Sequence, residues 1–252
     1  ATGPLDSSNL DETFALELPD LSITPLVPLT IPQVVGQILL AEDNDYNQTL
    51  ISHHLTRTGA TVVVAVNGEE AVSFAMENDF QLILMDMQMP IMGGLEATRM
   101  LRDTLYPGPI VALTAHGQSY HRQEALEAGC DDFLTKPVDW AALYQVVARY
   151  LPTADSAIVS TPPVATNDDL VAALAARFRA DFPATLEQLS RALDQEDLSQ
   201  AAGLAHQIKG VAGSLGYPAL GAAARTIETA ARAGDTLATA AALAELRRVA
   251  EL

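Results

Sequence analysis

Four apolar residues in a row, Leu82, Ile83, Leu84 and Met85, stop abruptly on one carboxylate, Asp86, and a methionine-rich loop at 87–90 follows. A run that is apolar at every position, with no alternation, suits a strand buried on both faces, as in a parallel sheet. Asp86 then stands at the carboxyl end of that strand, where open α/β sheets bind their ligands. A lone acidic residue after an apolar run is more often a helix cap or a loop residue. The rest of the chain has to decide between the two.

The flanking sequence alternates in kind. Apolar or β-branched stretches at 37–41, 61–66, 109–113 and 132–135 read as four further strands. Between them run helical patterns: from Asn44 or Asp45 to about 58, from the Asn67-Gly68 turn to about 78, from Gly93-Gly94 to about 103, from 119 to 128, and from the Asp139 cap to about 150. Five strands alternating with five helices predict a doubly wound parallel sheet over residues 36–151. Ahead of it, residues 1–35 hold Pro19, Pro25, Pro28 and Pro32 and read as an extended linker. Residues 13–18 within it form one candidate strand, which cannot stand alone. That strand is expected to belong to a domain outside this sequence, which makes the chain a C-terminal piece of a longer protein. Pro152, Pro162 and Pro163 mark a second linker at 152–167. From 168 to 252 alanine dominates and helical periodicity takes over. Helices at roughly 168–178, 182–194, 196–215, 217–233 and 235–251 predict an all-α antiparallel bundle.

Charge removes several classes of function. With 32 acidic against 14 basic residues the formal charge is −18, which argues against nucleic acid and against anionic membrane surfaces. The single cysteine, Cys130, permits no internal disulfide and fits a reducing, cytoplasmic setting. No apolar run reaches the roughly 20 residues of a membrane span, so this stretch is expected to make no membrane contact; a longer parent is compatible with an anchor elsewhere. Arginine supplies the positive charge almost everywhere, and the only lysines are Lys136 and Lys209. Two isolated lysines invite a positional reason.

Lys136 has one. Four strands deliver polar residues at or just past their carboxyl ends: Glu42 and Asp43, Asp86, Thr114, and Lys136. In a doubly wound sheet those ends meet over one crevice. Three carboxylates together repel unless a cation neutralises them. Hard oxygen ligands suit Mg²⁺, which favours phosphate substrates. Lys136 adds a point charge and Thr114 a hydroxyl for phosphoryl oxygens, so Asp86 can act as a carboxylate nucleophile toward phosphorus. Singly, each residue has a bland explanation: Asp43 as a helix cap, Thr114 as a strand end, Lys136 as surface. The ordered set is far harder to dismiss.

Residues 36–151 thus resemble a receiver domain of two-component signalling. The resemblance implies the strand order 2-1-3-4-5, with Asp86 as phosphoacceptor and Mg²⁺ held by Glu42, Asp43, Asp86 and the Gln88 backbone carbonyl. It also implies Thr114 and Phe133 as a switch pair and Lys136 as the phosphoryl-binding cation. The loop from Met89 to Arg99 is close to receivers of hybrid kinases but departs at Gly93, where an acidic residue is usual. The departure is expected to affect the helix start rather than the chemistry.

Lys209 belongs to a second focus. At about 100° per residue, Leu204, Ile208, Val211 and Leu215 form one apolar stripe, and His206 lies about 160° from Leu204 and Ile208, on a face expected to be exposed. That face also carries Gly203, Gly210 and Gly213, each costing on the order of 1 kcal/mol inside a helix. An imidazole ringed by missing side chains is open to a large partner, and Lys209 can neutralise an anion attached to it. An ordinary surface histidine is the bland alternative, and the cleared face argues against it. A catalytic triad needs an acidic orienter and a nucleophile, and the sequence offers neither nearby. Zinc needs more His or Cys than the region holds. His53, His54, His116 and His121 read as surface or loop residues. The His206-to-Gly210 arrangement resembles a histidine phosphotransfer domain, which implies that His206 carries a phosphoryl group and that the module has no kinase activity of its own.

Taken together, the resemblances imply the tail of a hybrid sensor histidine kinase. Asp86 takes a phosphoryl group from an upstream kinase phosphohistidine in a dimerising domain and passes it to His206, which donates to a downstream response-regulator receiver. A phosphorylation-gated switch whose bundle only dimerises or docks is the alternative. An aspartate-nucleophile phosphatase shares the chemistry of Asp86, but Met87 and Gln88 offer no general acid.

Overall fold

The computed structural model describes residues 30–114, 119–153 and 167–250. The candidate strand at 13–18, most of the 152–167 linker and His116 lie outside the described residues.

The first region has five strands and five helices in strict alternation: β1 (Gln37–Ala41), α1 (Asp45–Thr56), β2 (Thr61–Ala65), α2 (Gly68–Glu77), β3 (Leu82–Asp86), α3 (Gly94–Asp103), β4 (Ile110–Thr114), α4 (Ser119–Ala128), β5 (Asp132–Thr135) and α5 (Trp140–Tyr150). The strands form one parallel sheet in the order β2-β1-β3-β4-β5. All five positions of β3 and all five of β4 are buried, as a sheet covered on both faces requires. The period of two divides each central strand between two cores. Leu40, Leu84 and Leu113 pack with Leu55, Leu143 and Val147 on the face covered by α1 and α5. Leu39, Ile83 and Met85 pack with Ala97, Leu101 and Ala125 on the other.

Local signals set the helix ends. Asn44 caps α1, its side-chain oxygen accepting from Tyr46 N at 3.1 Å and Asn47 N at 3.3 Å, so the helix does not use Asp43 as its cap. Asn67 caps α2 through Glu70 N, and Asp139 caps α5 through Ala142 N. Gly93 precedes α3 with no side-chain cap bond, the local consequence expected of its departure from the family pattern.

Two readings need correction here. Val34, assigned to the linker, is buried in the α1/α5 core; its N–H donates to Thr58 O, and it bridges Thr153. His54 is not a surface residue. It is 1 % exposed, stacks on Trp140 with centroids 3.7 Å apart, and shares a 2.9 Å hydrogen bond with Tyr144. An imidazole can enter a core when an aromatic face covers its ring and a hydroxyl meets its nitrogen.

The second region is helical: α6 (Asn167–Asp194), α7 (Leu198–Ser214), α8 (Pro218–Arg232) and α9 (Thr236–Ala250). Five helices were expected and four form, because α6 runs straight through Pro183. Proline removes one backbone hydrogen bond, yet Phe178, Phe182, Leu186 and Leu189 are all buried at helical spacing across it. Burial of that stripe outweighs the lost bond. In α7 the buried positions are Ala201, Ala202, Ala205, Ile208, Val211 and Ala212, with Leu215 buried just beyond its end, while Leu204 is only half-buried. Ile208, Val211 and Leu215 of the expected stripe are buried, Leu204 is not fully so, and alanines make up most of the buried positions of the helix.

Candidate functional site

Because every strand of the sheet is parallel, all five carboxyl ends emerge on one side. Asp86 ends β3, Thr114 ends β4, Glu42 follows β1 and Lys136 follows β5. Asp86 is 2 % exposed, Thr114 3 % and Glu42 1 %. The Lys136 ammonium donates to Asp86 Oδ2 at 2.7 Å and also to Glu42 Oε2. Asp86 Oδ1 accepts from Gln88 N at 3.1 Å, and Asn47 Nδ2 donates to Glu42 Oε1 at 3.1 Å. Carboxylate oxygens of Glu42, Asp43 and Asp86 lie within 4.8 Å of one another.

Three carboxylates and one ammonium share this cluster. Burial pushes Glu42 up to about 7; Lys136 opposes the shift and Asp86 adds to it. For Lys136, burial disfavours the charge, but Asp86 and Glu42 outweigh it and hold the ammonium above its ordinary value. Clustered carboxylates, all hard oxygen donors, fit a divalent cation such as Mg²⁺.

Backbone crowding fixes the loop beyond Asp86. A Cβ at Gly94 would meet Asp86 O at 2.1 Å, so the start of α3 packs directly on the end of β3. Gly94→Ala must push the two apart. It is expected to destabilise the α/β region toward the upper end of the roughly 1–3 kcal/mol range for overpacking, measured by denaturant unfolding, and to displace the Asp86 backbone.

In the helical region, His206 on α7 faces α8. Its Nδ1 lies 3.0 Å from Glu228 Oε1. The other oxygen of Glu228 accepts from Lys209 Nζ at 2.5 Å, and Arg232 reaches Oε1 at 2.8 Å. The side chains of His206, Lys209 and Glu228 are 13 %, 8 % and 8 % exposed. Burial works against ionisation of Glu228, but bonds from His206 and Lys209 overcome it and bring the carboxyl down to about 2. Burial in turn lowers Lys209, with Glu228 opposing. An ionised carboxylate only accepts, so Nδ1 carries the proton it donates, and in the neutral ring Nε2 is then the nitrogen with a lone pair.

Two family models match this chain: the response regulator receiver domain over residues 38–148 and the Hpt domain over residues 173–252. The chain is a receiver domain followed by a histidine phosphotransfer (Hpt) domain. Such a pair is a module of phosphorelay signal transduction, and its homologues include hybrid sensor kinases. The sensor histidine kinase GacS of Pseudomonas protegens is 30 % identical over 84 % of this chain, which spans 26 % of that protein. Hybrid signal transduction histidine kinase I of Dictyostelium discoideum is 41 % identical over 46 % of the chain, which spans 7 % of it. The receiver domain of a Pseudomonas aeruginosa sensor histidine kinase, crystallised with magnesium in its cleft, is 38 % identical with a TM-score of 0.44, covering 46 % of this chain and 96 % of that one.

The receiver brings Glu42, Asp43, Asp86 and Lys136 together, with Thr114 at the neighbouring strand end. Phe133 lies on β5, half-buried, with the Arg122 guanidinium 4.8 Å above its ring. Gln88 lies two residues beyond Asp86, and its side-chain Oε1 is buried with no hydrogen-bond partner among the described residues. In the Hpt domain, Gly203 opens to solvent, where an added Cβ would meet nothing within 4 Å; Gly210 and Gly213 are half-buried. One expectation fails: His206 is half-buried rather than exposed. Lys209 donates to the Glu228 carboxylate. The acidic orienter that the sequence did not reveal is Glu228. A signal existed: Leu220, Ala224, Ile227 and Ala231 mark the buried face of α8, and Glu228 falls among them. A carboxylate on a buried face requires partners.

Proposed function

We propose that Asp86 accepts a phosphoryl group from an upstream phosphohistidine and that His206 takes it from Asp86 for delivery to a downstream receiver. In the first step an Asp86 oxygen attacks phosphorus, an acyl P–O bond forms, the P–N bond breaks, and the departing imidazole gains a proton. In the second, His206 Nε2 attacks the same phosphorus, a P–N bond forms, and the electron pair of the breaking P–O bond returns to the Asp86 carboxylate. Lys136 stands where it can meet charge on a phosphoryl oxygen, with Thr114 beside it. Glu42, Asp43, Asp86 and the Gln88 carbonyl would hold Mg²⁺, which when bound neutralises phosphoryl charge. The observation that carries the reading is the His206–Glu228 bond, which leaves one imidazole nitrogen, Nε2, as the nucleophile.

The domains of this reading are a receiver at 36–151, a linker at 152–167 and an Hpt bundle at 168–252. Its partners are a kinase dimerisation and phosphoacceptor domain, in the same longer protein, and a separate response regulator. The setting is cytoplasmic. Phe133 and Thr114 respond together to phosphorylation, and Gly203, Gly210 and Gly213 keep the approach to His206 clear. Among the described residues no helix is long and apolar enough to cross a membrane.

The first test is metal dependence. Radiolabelled acetyl phosphate labels Asp86 in the presence of Mg²⁺, and both excess chelator and Asp86→Asn abolish the label while the circular dichroism spectrum is kept. Labelling at the full rate in chelator rules the reading out.

A further inference from the structure

An open cleft of about 350 Å³ lies between the carboxyl end of α2 and the loop that follows α3. Phe80 and Gly108 line it, each just ahead of a strand, β3 and β4 respectively. Asp86 and Thr114 end those same strands. The cleft and the phosphoacceptor site therefore occupy opposite ends of the sheet.

Two large apolar side chains stand exposed at its mouth, and one of them holds an unfavourable backbone conformation. Leu105 is 85 % exposed and Met76 56 %. Leu105 has φ 63°, a left-handed conformation that disfavours any side chain with a Cβ. The end of α3 imposes it. Leu105 N donates to Arg102 O at 3.0 Å and Tyr106 N to Leu101 O at 2.9 Å, the paired bonds of a helix terminus whose left-handed position is usually glycine. The loop beyond is held from several directions. Arg102 Nη1 donates to Tyr106 O at 2.7 Å and Gly108 O at 2.9 Å, and the Tyr106 hydroxyl donates to Phe80 O at 3.3 Å. Stability alone would place glycine at residue 105 and keep apolar groups out of water. A leucine in that conformation, beside an exposed methionine, indicates a use for the side chain.

The rim has charge to match. Glu77 and Asp79 line the cleft, both are exposed, and neither makes an ion pair among the described residues. No lysine or arginine lines it.

We propose that this cleft anchors a partner protein through a segment that presents an arginine or lysine beside an apolar side chain. The apolar group packs on Leu105 and Met76, and the cation meets Glu77 and Asp79. Charge selects that occupant. Residues 1–29 and 154–166 of the chain itself contain no lysine or arginine. A second copy brings another −18, and nucleic acid is repelled in the same way. A preformed site spares the partner the cost of ordering the loop. A partner anchored here leaves Asp86 open to its phosphoryl donors.

The test is a titration of the ¹⁵N-labelled chain with a short synthetic peptide alternating arginine and leucine, against one alternating glutamate and leucine. The arginine peptide alone is expected to shift the amides of Met76, Asp79, Leu105 and Tyr106. Leu105→Gly is expected to weaken binding roughly tenfold and to leave the melting temperature unchanged or higher, since glycine accepts the left-handed backbone; loss of binding then cannot be loss of fold. Paired Glu77→Gln and Asp79→Asn substitutions weaken binding as well, and Asp86 is labelled by acetyl phosphate at the same rate with peptide bound. Shifts spread evenly over the acidic surface, undiminished binding by Leu105→Gly, equal binding of the glutamate peptide, or concentration-dependent shifts without peptide, which signal a second copy, each overturn the proposal.

Discussion

His206→Gln ends phosphorylation of the Hpt domain and leaves its melting temperature close to that of the native chain. In the proposed relay the imidazole supplies the nitrogen that bonds phosphorus, and an amide has no comparable nucleophile. Stability changes little because the neighbours of His206 keep their partners: Lys209 still donates to Glu228 Oε2 and Arg232 to Oε1. The glutamine can also donate where Nδ1 did. Ile208, two residues on, gives the opposite result. It is 2 % exposed in the bundle core, so Ile208→Ala costs about 2–5 kcal/mol, while transfer below the melting point is largely retained. Thermal melts and radiolabel transfer on the two variants separate chemistry from packing. A His206→Gln protein that still carries base-stable label contradicts the assignment.

Glu228→Gln produces the second large effect, and its size depends on pH. The carboxyl titrates at about 2 in the folded chain against an ordinary 4.5. A depressed folded value means that the ionised form stabilises the fold. That stabilisation is complete above about 4.5 and disappears as pH falls toward 2. At about 1.4 kcal/mol per unit the shift corresponds to at most about 3.5 kcal/mol, less what solvent screening removes. The stability gap between native chain and Glu228→Gln is therefore widest near neutrality and closes on acidification through that window. Transfer to His206 slows at neutral pH as well, because an amide can hydrogen-bond Nδ1 but cannot hold the charges of Lys209 and Arg232. A gap independent of pH between 2 and 5 contradicts the ionised state of Glu228.

Much of the receiver was legible because its signals are local. The uninterrupted apolar run of Leu82 to Met85 named a strand buried on both faces, Asn44, Asn67 and Asp139 named helix starts, and the strand ends gathered Glu42, Asp43, Asp86 and Lys136 into one crevice. What was missed depends on partners distant in sequence. His54 enters the core only because Trp140 and Tyr144, some 90 residues away, cover it. Pro183 stops a helix by local rules and fails to stop α6 because Phe178 and Phe182 are buried on either side of the expected break. Glu228 lies 22 residues from His206, and only the pairing of α7 with α8 makes them neighbours. Alanine also blurred the pattern: it is buried at Ala201, Ala205 and Ala212 in α7, yet its small side chain gives a weak periodic signal against the larger Leu204.

The central claim is that the phosphoryl group reaches His206 through Asp86. A time course with radiolabelled acetyl phosphate and Mg²⁺, in which base-labile acyl phosphate is resolved from base-stable phosphohistidine, addresses it directly. The account predicts acyl phosphate on Asp86 first, phosphohistidine on His206 at its expense, and neither in Asp86→Asn. Phosphohistidine forming in Asp86→Asn as fast as in the native chain, or acyl phosphate that decays without any label reaching His206, contradicts it.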